Sequence, residues 1–112
     1  FEVPETVFFC LADGTVISQS TSEDIIIGRR PRQRDPEATI DLEGHDGRPL
    51  GVSRQHAMIK LLNGSLLLLD LDSINGTYLN DEQALPTKRY VLMNGDQITC
   101  GKLKMTLYFQ KP

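Results

Sequence analysis

Apolar side chains along this chain come in short runs separated by glycine, asparagine and aspartate, without the sustained 3.6-residue spacing of a helix. Residues 6–12 and 15–18 flank Asp13-Gly14, a hairpin signal of the kind type I′ turns favour. Residues 24–28, Asp-Ile-Ile-Ile-Gly, form a β-branched run too short for a helix, and a brief strand is predicted at 38–42. Residues 56–62 and 66–71 flank Asn63-Gly64, a second hairpin. Strands at 77–79, 90–92, 97–100 and 104–109 follow, with Asn75-Gly76, Asn94-Gly95 and Gly101 at the breaks. The leucines at 66–69, bounded by Gly64, Asp70 and Asp72, predict a strand buried on both faces or nearly so.

Short strands about ten residues apart with glycine-containing turns predict an all-β, two-sheet sandwich. A chain of 112 residues suits one domain that buries roughly two thirds of its unfolded surface. No linker or internal repeat divides residues 1–112, which are read as a single domain. The first and last residues fall in strand-like sequence, so the expectation is a piece of a larger protein. No apolar run approaches the ~20 residues that cross a bilayer, and the N-terminus does not read as a signal peptide. Cys10 and Cys100 lie in apolar strands and read as reduced core residues, which favours the cytoplasm; a bond between them stays open.

Charge adds one local feature. The net charge is −3, which argues against the broad basic face that nucleic-acid binding requires. Yet six of the seven arginines (Arg29, Arg30, Arg32, Arg34, Arg48 and Arg54) fall between positions 29 and 54. Arginine's planar fork holds phosphate or carboxylate with two bonds at once, so the window suggests a focused anion site. Asp35, Glu37, Asp41, Glu43 and Asp46 share that window, and a solvated, salt-bridged loop accounts for the composition equally well.

Polar residues that a sandwich core does not require stand at three strand ends: Gly28-Arg29, Ser53-Arg54-Gln55-His56, and Ser73-Ile74-Asn75-Gly76-Thr77. Ser53 and His56 with an aspartate could suggest a hydrolase, but the sequence holds no nucleophile elbow, so no catalytic residue and no enzyme activity is expected. Two histidines and two cysteines at positions 10, 45, 56 and 100 lack the paired spacing of zinc sites. No metal or cofactor is therefore expected.

In order along the chain, Ile-Ile-Ile-Gly-Arg at 25–29, Ser-Arg-x-His-Ala at 53–57, Leu-Asp-Leu-Asp-Ser-Ile-Asn-Gly-Thr at 69–77 and Asn-Gly-Asp-Gln-Ile-Thr-Cys-Gly at 94–101 resemble the signature of forkhead-associated domains. The resemblance runs from about residue 24 to 109. It implies a sandwich of about eleven mostly antiparallel strands whose loops, at one end, bind a phosphothreonine peptide of a partner protein. It also implies signalling linked to serine/threonine kinases. Carried onto this chain, Arg29 grips the phosphate, Ser53 donates its hydroxyl to a phosphate oxygen, and Arg54 adds a second cationic contact. Asn75 holds the peptide backbone, with Ile74 contributing only its own backbone. His56 and Thr77 brace the loops, and Gly28 and Gly76 serve as backbone positions. The ligand chemistry agrees: phosphothreonine carries about −1.5 to −2 charges and three strong acceptors, which call for charge and directed donors together.

Two departures from the family pattern stand out. Ile74 replaces a threonine or serine that touches the phosphate in several members, which gives Arg54 more of the task. The loop at 43–52 is longer than usual, with Gly44, Gly47 and Gly51. The resemblance places specificity for the third residue after the phosphothreonine there. Arg48, Gly51 and Val52 are the candidates, with His45 and Arg48 the charges available. Arg30, Arg32, Arg34 and Arg48 otherwise read as solvated loop residues that attract an acidic peptide. The alternative function is a phosphate-independent docking or intramolecular scaffolding domain. In either case no nucleic acid or membrane partner is expected, and the isolated domain is expected to be a monomer.

Overall fold

The computed structural model describes residues 4–29 and 39–109. Eleven strands follow one another: β1 (Thr6–Leu11), β2 (Val16–Ser20), β3 (Ile25–Gly28), β4 (Ile40–Asp41), β5 (Gln55–Leu62), β6 (Ser65–Asp70), β7 (Thr77–Leu79), β8 (Glu82–Ala84), β9 (Tyr90–Val91), β10 (Gln97–Cys100) and β11 (Leu103–Phe109). A single 3-10 turn at Glu43–His45 interrupts the series, and no α-helix occurs among the described residues. The strands form a six-stranded sheet, β2-β1-β11-β10-β7-β8, and a five-stranded sheet, β4-β3-β5-β6-β9. Every strand pair is antiparallel except β3 with β4. The all-β sandwich predicted from the strand spacing is the observed architecture.

Alternation along each strand builds the core, because a period of two sends every second side chain inward. Val7, Phe9 and Leu11 of β1 face Ile25, Ile27, Ile59 and Leu68 across the sandwich within one apolar cluster, which Ile98, Met105 and Leu107 complete. Leu42 and Val52 belong to the same cluster. Burying both anchors the two ends of the long loop between β4 and β5, and Leu50 packs against the core between them.

Several local expectations are corrected. The first hairpin does not close with a two-residue type I′ turn at Asp13-Gly14. Leu11 pairs with Thr15 around a three-residue loop, and only Gly14 takes positive φ, at 90°. The Asp13 side chain accepts from Thr15 N at 2.9 Å and so stabilises that loop. Asn63-Gly64 does form the expected tight turn, with φ of 52° and 82°. A hairpin not foreseen joins β7 to β8 through Asn80 and Asp81, both at positive φ. The leucine run is only half as buried as expected. Leu66 and Leu68 point into the core, while Leu67 and Leu69 are half-buried on the outer face. Register places Leu69 beside Met58, Met58 beside Ile26, and Leu67 between Lys60 and Val91, so the outer face of the five-stranded sheet carries several apolar side chains. Cys10 lies half-buried on the outer face of the other sheet, Cys100 lies in the core, and both thiols are free. Of the brief strand predicted at 38–42 only Ile40–Asp41 is observed, and residue 38 lies outside the described residues.

Candidate functional site

The ends of β3, β5 and β6 and the β10–β11 turn meet at one end of the sandwich, and backbone and side-chain bonds tie their loops together. Gly28 closes β3 at a register shift against β5. A Cβ at this position would stand 1.8 Å from Arg54 O, so only glycine lets the two backbones approach this closely. The approach lets Arg29 N donate to Arg54 O at 3.1 Å and brings the Arg29 side chain over the loop that precedes β5. Arg29 Nε donates to Val52 O at 2.6 Å, while Nη1 stands 3.7 Å from Glu43 Oε1. The Nε bond holds one edge of the guanidinium, which limits its rotation and removes part of the rotamer entropy that a ligand would otherwise have to overcome.

Ser53 and Ile74 meet at the next corner, where Ile74 N donates to Ser53 Oγ at 3.3 Å. The hydroxyl acts as acceptor there, and its own hydrogen remains available to a ligand. Asn75 Nδ2 donates to Gly51 O at 3.0 Å, fixing an exposed amide that retains a second N–H and its carbonyl oxygen for a peptide backbone. Gly51 has φ of 85°, and a Cβ there would lie 2.8 Å from Asn75 Nδ2. Two members of the predicted specificity trio therefore have other places. Gly51 seats Asn75, and the Val52 side chain, 2% exposed, is buried in the core, so only its carbonyl faces the site. Arg48, 64% exposed, does lie at the loop surface, with Nε 3.8 Å from Glu43 Oε2. Arg54 contributes its carbonyl to Arg29 and keeps a half-exposed side chain. Arg30, Arg32 and Arg34 lie outside the described residues.

Beneath these groups His56 is wholly buried and bridges two loops. Ser53 N donates to its Nδ1 at 3.0 Å, and its Nε2 lies 2.8 Å from Gly76 O. Because Nδ1 is an acceptor, the proton resides on Nε2 and the ring is neutral. Burial is the main cause that lowers the His56 pKa, against opposing contributions from the Gly76 carbonyl and the Asp70 charge. His56 therefore serves as a strut.

Asp70 is a residue that the sequence reading missed. Its Oδ1 accepts from Ser73 Oγ and Thr77 Oγ1, both at 2.6 Å, and its Oδ2 from Ser73 N at 3.2 Å. One buried carboxylate thus shapes the whole 70–77 segment that carries Ile74 and Asn75. The Asp70-x-x-Ser73 spacing, typical of a side chain capping a turn, was the signal available. The β10–β11 turn was expected at Gly101, but its part in the site was not. Gly101 N donates to Gly76 O and Lys102 N to Leu50 O, clamping both loops from below. Next to Asn75, Pro49, Leu50, Gly51, Tyr78 and Lys102 line a cleft of about 470 Å³. Ile74 itself is 89% exposed at the rim. Among the described residues no group of side chains could hold a metal ion, and no helix is long and apolar enough to cross a membrane.

The arrangement offers a fixed cation, a hydroxyl donor and a peptide-like amide on one rim, with no nucleophile–base pair, since both ring nitrogens of His56 are engaged in the loops. Comparison with known proteins agrees with this frame. Glycogen accumulation regulator GarA of Mycolicibacterium smegmatis is 38% identical over 72 residues, which are 64% of this chain and 40% of that protein. The chain thus spans less than half the length of the curated relatives it matches. A structure described as a structural and functional analysis of phosphothreonine-dependent FHA domain interactions superposes with a TM-score of 0.73 at 28% identity, covering 96% of this chain and 99% of that one. The solution structure of the FHA domain of an Arabidopsis thaliana hypothetical protein shares the fold, with a TM-score of 0.80 at 23% identity over 98% of this chain and 89% of that one. The sequence model of the FHA domain matches residues 25–101, more than half of the chain, and the protein belongs to the forkhead-associated domain family.

Proposed function

We propose that this domain is a non-catalytic module that binds a phosphothreonine-containing segment of a partner protein, in signalling by serine/threonine kinases. The observation that carries the reading is the convergence of Arg29, Ser53 and Asn75, distant in sequence, on one rim, each held by a second loop. Arg29 supplies the charge for the phosphate and Ser53 Oγ a directed donor. Asn75 pairs with the peptide backbone, and Arg54 adds a cationic contact from its half-exposed side chain. Ile74 leaves only a backbone N–H where a hydroxyl could have joined, so the phosphate depends more heavily on the arginines. His56, Asp70 and Thr77 hold the loops in place, and Arg48 is the charged candidate for reading residues beside the phosphothreonine. The relatives support the class of activity: one is named a regulator, another an inhibitor of oxoglutarate dehydrogenase. The free thiols suit a reducing compartment, the cytoplasm.

A phosphate-independent docking role draws on a different observation, the apolar outer face formed by Ile26, Met58, Leu67, Leu69 and Val91. The two readings separate in one experiment. Fluorescence polarisation with matched peptide libraries carrying phosphothreonine, phosphoserine or threonine is expected to give binding to phosphothreonine alone. Arg29→Ala should then lose about 2–5 kcal/mol of affinity, the scale for breaking a desolvated charge pair. A thermal melt of the same variant shows that the domain is still folded. Equal binding to plain threonine, or an unaffected folded variant, overturns the phosphothreonine reading.

A further inference from the structure

Glu43 stands in an unusual relation to the phosphate-gripping arginine. Its Oε1 and Arg29 Nη1 are both shielded from solvent and both lack a hydrogen-bond partner, yet they stop 3.7 Å apart. The other carboxylate oxygen faces Arg48 Nε at 3.8 Å. The carboxylate is therefore lodged between two guanidinium groups without bonding to either. A hydrogen-bonded pair would fix Arg29 more firmly, but a pair held at this distance exerts charge without geometry.

We infer that Glu43 is an internal competitor for Arg29, a counter-ion that lowers the affinity of the site for its anionic ligand and so determines how readily the phosphopeptide leaves. The inference rests on the phosphothreonine reading of the same site. A phosphate approaching Arg29 must either displace the carboxylate or bind in its field. Both oppose the anion, and the second opposes a dianion twice as strongly as a monoanion at the same place. Arg48, largely exposed, gives the displaced carboxylate a partner on the far side. Glu43 is in this sense a specificity-determining residue that touches the arginine rather than the peptide.

The test is Glu43→Gln, which keeps shape and removes charge. For a phosphothreonine peptide that the wild type binds, the variant is expected to bind roughly tenfold tighter at low salt. The gain is expected to shrink as salt is raised, since screening weakens the repulsion between the carboxylate and the phosphate. In an Arg29→Ala background the gain should vanish. Weaker binding by Glu43→Gln would show that Glu43 positions Arg29, and an undiminished gain without Arg29 would show a nonspecific field effect; either overturns the inference. If the wild type binds no phosphopeptide, the functional reading fails by itself. Competition is then read with inorganic sulfate, by the NMR shift of the Arg29 Nε–H. Tighter sulfate binding in Glu43→Gln supports the inference, and unchanged or weaker binding overturns it.

Discussion

Gly28→Ala tests whether the approach of β3 to β5 aims Arg29. The added Cβ would lie 1.8 Å from Arg54 O, 2.7 Å from Arg54 C and 3.3 Å from Gln55 Cα. Ordinary contact between a methyl carbon and a carbonyl oxygen is about 3.4 Å, so the strands must part by roughly 1.5 Å. The atoms in the way are backbone and have no rotamer to change. Parting the strands breaks the Arg29 N–H bond to Arg54 O, 3.1 Å in the native structure, and leaves both groups poorly paired. The lost bond with its unsatisfied partners costs about 1–3 kcal/mol and the overpacking strain another 1–3. About 3 kcal/mol in total is a large part of the roughly 5–15 kcal/mol that keeps such a domain folded. Urea unfolding monitored by circular dichroism should show the midpoint falling by about 2 M, with an unchanged slope. Gly44→Ala is the control, because a Cβ there meets nothing within 4 Å, and its stability should stay within about 0.5 kcal/mol of wild type. A Gly28→Ala midpoint close to that of Gly44→Ala would refute the steric argument. Phosphopeptide affinity equal to wild type, measured where the variant is folded, would refute its link to Arg29.

Three further outcomes follow from the same geometry. Burial keeps the His56 pKa below its ordinary 6.5, so below that pH the unfolded chain binds the proton more readily than the folded one. Its contribution to stability is full above pH 6.5 and declines as the pH falls; urea midpoints at pH 7.5 and 5.5 should show the loss, and a flat or rising profile would contradict it. Asp70→Asn keeps one oxygen for Ser73 Oγ and Thr77 Oγ1 but turns the acceptor of Ser73 N–H into a donor and removes the charge, and should cost about 1–3 kcal/mol. Because the Asp70 charge raises the His56 pKa, an NMR titration of the variant should find that pKa lower still. Asn75→Ala loses one exposed bond to Gly51 and should cost no more than about 1 kcal/mol of stability while weakening phosphopeptide binding about tenfold. A collapse in melting temperature would instead make Asn75 a turn residue.

Local signals in the chain were enough for the strands, because alternation and turn chemistry act within a few residues. Asn63-Gly64 needs positive φ at two adjacent positions, and nothing elsewhere in the molecule alters that preference. Where two chemistries compete, local reading failed. Asp13-Gly14 suits a two-residue turn, yet pairing of Leu11 with Thr15 places both residues in a three-residue loop. Glu82–Ala84 has little strand character and became β8 only because the Asn80-Asp81 turn folds it back on β7. The outward half of the leucine run could not be distinguished from a buried face without knowing whether a second layer covers it.

The site divides in the same way. Sequence alone determined the fold class and singled out Arg29, Ser53 and Asn75, because glycine turns and ordered polar motifs at strand ends are written in neighbouring residues. It could not show that Val52 turns inward and Gly51 seats Asn75, nor that Asp70 shapes the loop above it. Nor could it show that one carboxylate among five in the arginine-rich window, Glu43, lies against the Arg29 side chain. Those facts depend on which distant segments the sandwich packs together. Charge and hydrogen bonding act over a few ångströms of space, however many residues of chain intervene, so only the tertiary structure could decide which arginine met which acid.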